Sequence, residues 1–242
     1  MAETASHQRF RARIEYLLQH MQVVDVGITL LFRQTNAQHA AGGTILDALN
    51  IESARYDRLR HPVKHDARIF NFSRARNAEH SLVALHGHFT EYLRTILDEM
   101  YQGNPLLVVG KAPGTMQYQE IVQLGTFEAI SQNMIDNVFR KLENERSTTK
   151  LLEKVLNHTQ VHLDPEQLDT AIMYLEMRHL IIHNGSKADA IFASRYAGRT
   201  RLSDGDRLPL LARTVQSAVA AVTTLVKDVD TQLLAGAFVN PR

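Results

Sequence analysis

The sequence EMRHLIIHNG at residues 176–185 places one arginine, two histidines and an Asn-Gly pair within ten positions. An arginine is a permanent cation that can hold a phosphate group through two parallel hydrogen bonds. A histidine can accept and donate protons near neutral pH. The segment therefore has the side chains that phosphodiester chemistry without a metal ion requires.

The residues around this segment predict one helix from about Pro165 to His183. Asp164 is suited to be the N-cap, Pro165 the first helical residue, and Gln167 completes an arrangement similar to a capping box. Gly185 is suited to end the helix. The histidines then lie near the C-terminal end, where the helix dipole favours their protonated form by about 0.3–1 kcal/mol.

The positions around this helix separate the arginine from the histidines. At about 100° per residue, one sector of roughly 80° contains Asp169, Glu176, His179 and His183. Arg178 lies about 140° from His183. Both can contact one phosphate only if the helix ends between them, if a long side chain reaches around it, or if a second copy of the chain contributes. The other positions are apolar almost all round, which is typical of a helix inside a bundle or an interface.

Residues 178–183 resemble the R-polar-x-x-x-H signature of the HEPN (higher eukaryote and prokaryote nucleotide-binding) superfamily. The continuation NGSKAD, at residues 184–189, is similar to the tail found in the Apea-like and RiboL-PSP-like branches. The stretch SLVALHGHFTEYL, at residues 81–93, is similar to the long helix that opens the domain in those branches. The resemblance implies a domain over residues 76–236 and leaves residues 1–75 unexplained.

The resemblance implies an all-α antiparallel helical bundle, usually a homodimer in which two signature helices face each other. Many members are metal-independent endoribonucleases of toxin–antitoxin or antiviral defence systems, and others are inactive binding or regulatory modules. By position, Arg178 and His183 are the implied catalytic residues. His179 occupies the polar position, which is more often Asn or Asp in the family.

Several polar residues at or after the end of the helix are candidates for binding the substrate: Asn184, Lys187, Arg195 and Arg199. A second basic segment, residues 55–76, has seven Lys or Arg against two Asp, with Tyr56, Phe70 and Phe72 among them. Cations that meet phosphates and aromatic rings that stack on bases suit a single-stranded nucleic acid. The alternative interpretation of this segment is a solvated, arginine-rich linker.

The composition describes an ordinary globular protein. The chain has 242 residues, 44% of them hydrophobic and 22% charged, enough for one substantial core or two small ones. The absence of cysteine excludes disulfides, thiolate catalysis and cysteine zinc sites, and is compatible with a cytoplasmic location. The net charge of +1 argues against a uniformly basic nucleic-acid binder. No apolar stretch is long enough for a signal peptide or a membrane span, so we expect neither.

Apolar residues repeat at helical spacing along most of the chain, which predicts an all-α fold. Helices are predicted at about 8–21, 44–58, 77–101, 126–144, 147–158 and 165–183, with a further helix of about 26 residues beginning near Leu211. The glycines and prolines of residues 103–114 predict a loop. Residues 1–75 are predicted to form an N-terminal helical extension to the HEPN-like domain at 76–236.

The leading hypothesis is a homodimeric, metal-independent and cofactor-free endoribonuclease, acting on RNA in the cytoplasm as part of a toxin–antitoxin or antiviral defence system. An antitoxin or another defence protein is then an expected partner. The alternative is a non-catalytic HEPN module that binds nucleotide, RNA or a partner protein in a defence or regulatory complex. A third hypothesis is dimerisation alone, through the apolar helices. A purely structural interpretation of the segment is also open, in which Arg178 pairs with a carboxylate at a buried helix end and His179 and His183 are ordinary polar residues.

Overall fold

The structure of the chain is a computed structural model that describes residues 2–104, 107, 116–143, 148–159 and 161–241. Within these ranges the chain forms α-helices joined by turns and short 3-10 segments, and no strand is present. The α-helices are α1 (Ala5–Asn36), α2 (Ile45–Leu49), α3 (Asp66–Gly103), α4 (Tyr118–Leu124), α5 (Phe127–Glu143), α6 (Thr148–His158), α7 (Pro165–His183), α8 (Ala190–Arg195) and α9 (Ala212–Ala235). The predicted all-α class is confirmed.

Some helix bounds differ from the prediction. The helix predicted to begin near residue 77 begins at Asp66, because the basic residues before it are compatible with a helix and only Pro62 interrupts the chain. The single helix predicted over 44–58 is instead α2, which ends at the left-handed residue Asn50, followed by a 3-10 helix at Ala54–Leu59. The loop predicted at 103–114 lies mostly outside the described residues.

Both predicted ends of α7 are confirmed. The Oδ1 atom of Asp164 accepts a hydrogen bond from the amide of Gln167 at 2.8 Å, as an N-cap does. After His183 the chain turns through two left-handed residues, Gly185 at φ 60° and Ser186 at φ 63°. The Leu180 carbonyl accepts from the Asn184 amide at 3.0 Å and from the Ser186 amide at 3.1 Å, which fastens the turn to the last turn of the helix.

The chain divides into two compact units. The first consists of Met1–Ile14, His86–Met173 and Ala220–Arg242, and the second of Glu15–Leu85 and Tyr174–Val219. The predicted division into an extension at 1–75 and a domain at 76–236 stays a prediction.

The first unit has a core of buried apolar and aromatic side chains from α1, α3, α6, α7 and α9. Phe10 and Tyr92 pack with their ring centroids 5.8 Å apart. Burial raises the pKa of Tyr101 to about 12. The N-terminal segment is held by Asp230 of α9, whose carboxylate accepts hydrogen bonds from the hydroxyl and, at 3.2 Å, the amide of Thr4. Thr4 and Asp230 are both buried, so this is a fixed internal contact.

The second unit contains a small hydrophobic cluster of Ile28, Ile45, Leu49 and Phe70. Burying side chains of this size stabilises a fold by about 1.5–3 kcal/mol each.

Asp66, the first residue of α3, is fully buried in the second unit. Its carboxylate accepts hydrogen bonds from Thr35 Oγ1 at 2.6 Å and the Ala67 amide at 2.5 Å, and lies 2.9 Å from His39 Nε2. Burial opposes the ionisation of Asp66, but these hydrogen bonds outweigh it, so the pKa of the carboxyl is lower than its ordinary value.

No helix in the described part of the chain has the length and apolar character that crossing a membrane requires.

Candidate functional site

The end of α7 combines buried apolar residues with exposed polar ones. Met177 and Leu180 are buried, Arg178 is half-buried, and His179 and His183 are exposed. All of these residues belong to the second unit. The helix therefore anchors its last turns through apolar side chains and presents the two imidazoles to solvent.

The two imidazoles lie side by side. The ring centroids of His179 and His183 are 4.8 Å apart, with the ring planes tilted by 44°. This contact follows from their spacing, because residues four apart are neighbours on one helix face. Two imidazoles, whose ring nitrogens can donate and accept hydrogen bonds, are thus available on one exposed surface.

The Arg178 side chain makes no hydrogen bond or ion pair with any other residue that the structure describes. The predicted alternative, in which a carboxylate neutralises Arg178 at a buried helix end, is not observed among these residues. A half-buried guanidinium that none of the described side chains binds has its charge and its donors available for an anion.

The Glu176 carboxylate binds the side chains of Arg195 and Tyr196. Its Oε1 accepts from Arg195 Nη1 at 2.6 Å, and its Oε2 accepts from the Tyr196 hydroxyl at 2.9 Å. The Arg195 guanidinium also lies 5.2 Å from the centroid of the Tyr196 ring. Arg195, a candidate for substrate binding, is therefore one part of an ordered link between α7 and α8.

The turn after α7 is held by its own polar groups. Asn184 Nδ2 donates to the Lys187 carbonyl at 2.9 Å, while the Lys187 side chain is exposed. A short antiparallel bridge then joins Lys187 to Arg207. In this bridge the Ala188 amide donates to the Asp206 carbonyl at 2.8 Å, and the Leu208 amide donates to the Ser186 carbonyl at 2.9 Å.

Ser186 also connects the turn to α3. Its hydroxyl donates to Glu79 Oε1 at 2.5 Å, and Arg76 Nη1 donates to Glu79 Oε2 at 2.5 Å. Glu79 is 6% exposed and Ser186 is 8% exposed, so both side chains are effectively removed from water. A serine in the left-handed region is unfavourable by about 1–3 kcal/mol, and this hydrogen bond helps to hold it there.

An open cleft of about 900 Å³ lies over this connection, within the second unit. We call it the arginine cleft, and its polar and aromatic lining includes Arg68, Phe72, Arg76, Glu79, Ser186 and Arg207. Gly185 also lines it, so the cleft extends to the residues that follow His183 and Asn184.

The structure places the predicted residues in two groups. Arg178, His179, His183, Asn184 and Lys187 lie at or just after the end of α7. Arg195 ends α8, and Arg199 is an exposed residue of the following turn, where its amide donates to the Tyr196 carbonyl at 2.9 Å.

Glu79, Ser186 and Arg207 were not predicted as members of a site. Another part of the cleft lining could be predicted from the sequence. Arg68, Phe72 and Arg76 are spaced four apart and so share one face of a helix. Glu79 and Arg207 are brought to the turn after α7 from distant parts of the sequence, and no local pattern indicates that.

No group of three or more His, Asp or Glu side chains suited to hold a metal ion occurs in the part of the chain that the structure describes.

The chain matches no model of a known protein family, no curated protein and no solved structure.

Proposed function

We propose that the chain is a metal-independent endoribonuclease of the HEPN type, which acts in the cytoplasm as part of a toxin–antitoxin or antiviral defence system. One observation carries the proposal: Arg178 has no partner among the described residues at the helix end that also presents His179 and His183. An available cation and two adjacent imidazoles are the groups that metal-free cleavage of RNA requires.

In the proposed reaction, an imidazole removes the proton from an RNA 2'-hydroxyl, and the resulting oxygen attacks the adjacent phosphorus. The bond from phosphorus to the 5'-oxygen breaks, and that oxygen receives a proton from a second imidazole. The products are a 2',3'-cyclic phosphate and a 5'-hydroxyl. His183 is the proposed base. The proposed acid is either His179 or His183 of a second copy of the chain. Arg178 holds the non-bridging oxygens and stabilises the charge that develops on them.

The proposed enzyme is a homodimer. Arg178 and His183 lie about 140° apart around α7. One phosphate is therefore reached more easily by Arg178 of one copy and His183 of the other than by both residues of the same copy. Ile182, in the same turn of the helix, is 46% exposed and lies about 40° from Arg178. An exposed isoleucine beside an available arginine suits a surface that a second signature helix covers, as in the antiparallel bundle that the resemblance implies.

The experiment is cleavage of RNA by the purified full chain in excess EDTA. We expect wild type to cut and His183→Ala to lose roughly 100-fold or more of the rate, because general acid–base catalysis contributes about that much. Arg178→Ala is expected to show a comparable loss. His162→Ala is the matched control, because His162 is exposed and its hydrogen bonds to the Gln232 side chain are made by its own backbone amide and carbonyl.

Cleavage that stops in EDTA, or full activity of His183→Ala, would overturn the proposal. Saturable RNA binding without cleavage would instead support the non-catalytic module, and Arg178→Ala would then weaken binding. Mixing Arg178→Ala with His183→Ala chains tests the dimer, because a site shared between copies regains activity in mixed dimers.

A further inference from the structure

The arginine cleft carries more positive charge than its surroundings neutralise. Arg68 and Arg207 form no ion pair with any residue in the described ranges, and Arg76 is paired with Glu79. The cleft therefore contains two cations in excess of its carboxylate. An open cavity with this balance attracts an anionic ligand.

The shape of the cleft indicates an extended ligand. Arg68 and Arg76 are eight residues apart on α3, which separates them by about 12 Å along the helix axis. Arg207 comes from the bridge beside the turn after α7. Cations at these separations cannot all contact one phosphate group, but they can follow a chain of phosphates.

Phe72 adds a surface for a flat ring. It lies between Arg68 and Arg76 along α3, lines the cleft, and is 58% exposed. The Arg76 guanidinium is 5.0 Å from the centroid of the Phe72 ring, so the two form one platform. Exposed aromatic rings and guanidinium planes both stack on unpaired nucleic-acid bases.

We infer that the arginine cleft binds single-stranded RNA, with Arg68 and Arg207 on the phosphates and a base stacked on Phe72. The choice of RNA rests on the proposed function. A duplex is disfavoured because its bases are already stacked on one another and cannot lie on Phe72. An acidic peptide is disfavoured because it has no ring for this platform to stack on.

The cleft also connects this binding to the candidate catalytic residues. Gly185 and Ser186 line the cleft and follow His183 and Asn184 directly along the chain. RNA held on Phe72 and Arg207 therefore lies against the turn that ends the signature helix. The buried Glu79 carboxylate accepts hydrogen bonds from both Ser186 and Arg76. These hydrogen bonds fix the position of this turn relative to the stacking platform.

The test is the binding of a short labelled single-stranded RNA, measured by fluorescence anisotropy on the full chain carrying His183→Ala so that the RNA stays intact. Phe72→Ala is expected to weaken binding roughly tenfold, because the stacking of one base on one aromatic ring contributes about a factor of ten in affinity. Phe72→Tyr keeps an aromatic ring and is expected to preserve binding. Phe72→Ala is expected to leave binding of a blunt RNA duplex unchanged.

The salt dependence identifies the phosphate contacts. Arg68→Ala and Arg207→Ala are each expected to reduce the slope of log affinity against log salt by about 0.7, the value for one phosphate contact on a single strand. Arg58→Ala is the matched control, because Arg58 belongs to the same basic segment but does not line the cleft.

Unchanged single-strand affinity in Phe72→Ala, unchanged slopes in both arginine variants, or displacement of the RNA by polyglutamate of equal charge would each overturn the inference. The proposed function fails separately, through absence of cleavage by the wild-type chain. RNA binding that depends on Phe72 without any cleavage would preserve the inference and refute the nuclease.

Discussion

Asp230 in the first unit and Glu79 in the second are both buried carboxylates that accept a hydrogen bond from a hydroxyl. The Asp230 carboxylate accepts from the buried hydroxyl and the amide of Thr4 and lies 3.3 Å from His7 Nδ1, so it fastens the N-terminal segment to α9. Glu79 instead accepts hydrogen bonds from Ser186, whose backbone is left-handed, and from Arg76, whose side chain is 60% exposed beside an open cleft. Similar chemistry therefore stabilises the fold in one unit and organises a candidate binding surface in the other.

The largest expected effect is the loss of stability in Asp230→Ala. The substitution removes a charged acceptor and leaves the Thr4 hydroxyl buried without it, so the free energy of unfolding decreases by about 2–3 kcal/mol. Urea denaturation followed by circular dichroism measures the change. Asp228→Ala, at a partly exposed position of the same helix, is expected to change stability by less than about 0.5 kcal/mol. Equal losses in the two variants would contradict the role of Asp230.

Glu79→Ala is expected to decrease the free energy of unfolding by about 1–2 kcal/mol, less than Asp230→Ala. The loss is smaller because Arg76 can turn towards water when the carboxylate is removed. The same variant adds one unpaired cation to the cleft, so its affinity for single-stranded RNA depends more steeply on salt. A comparison of both variants in the binding assay separates the two carboxylates, since Asp230→Ala leaves that dependence unchanged.

Substitutions at Ser186 separate backbone strain from the hydrogen bond to Glu79. Ser186→Ala and Ser186→Gly both lose the hydroxyl, but only glycine adopts a φ near 63° without strain. We expect Ser186→Gly to be more stable than Ser186→Ala by about 1 kcal/mol. Thermal or urea unfolding of the pair measures this difference, and a more stable alanine variant would show that the turn is not strained.

Asp66 is a third buried carboxylate, and its substitution is expected to change the free energy of unfolding least. Asp66 also makes this free energy depend on pH. Its folded pKa is lower than its unfolded value, so its contribution to stability is present above about pH 4 and is lost as the pH falls through the folded pKa. In Asp66→Asn, the free energy of unfolding should therefore fall less steeply as the pH is lowered below about 4. Profiles of equal steepness for wild type and variant would show that other groups cause the acid sensitivity.

Local sequence patterns predicted α7 well because both of its ends depend on local chemistry. Asp164 caps the first turn and Gly185 ends the helix wherever the rest of the chain lies. The predicted start of α3 near residue 77 is too late, because the arginine and alanine residues of the preceding basic segment are good helix formers and the helix begins at Asp66.

Contacts between distant residues account for what could not be predicted. Nothing near Glu176 in the sequence indicates that its carboxylate binds Arg195 and Tyr196. The pairing of Glu79 with Ser186 joins residues 107 positions apart. Long-range pairings of this kind are set by packing, and they decide which charged groups keep their charge available for a ligand.

The bridge that joins residues 186–188 to residues 205–208 also sets how rapidly amide protons exchange with solvent. The amides of Ala188, Gly205 and Leu208 donate across it, to the carbonyls of Asp206, Ala188 and Ser186 respectively. These protons can exchange for deuterium only when the bridge opens, so the three sites share one opening free energy. The rate of deuterium exchange at the Leu208 amide therefore reports local opening of the turn after α7, although Leu208 lies outside that turn.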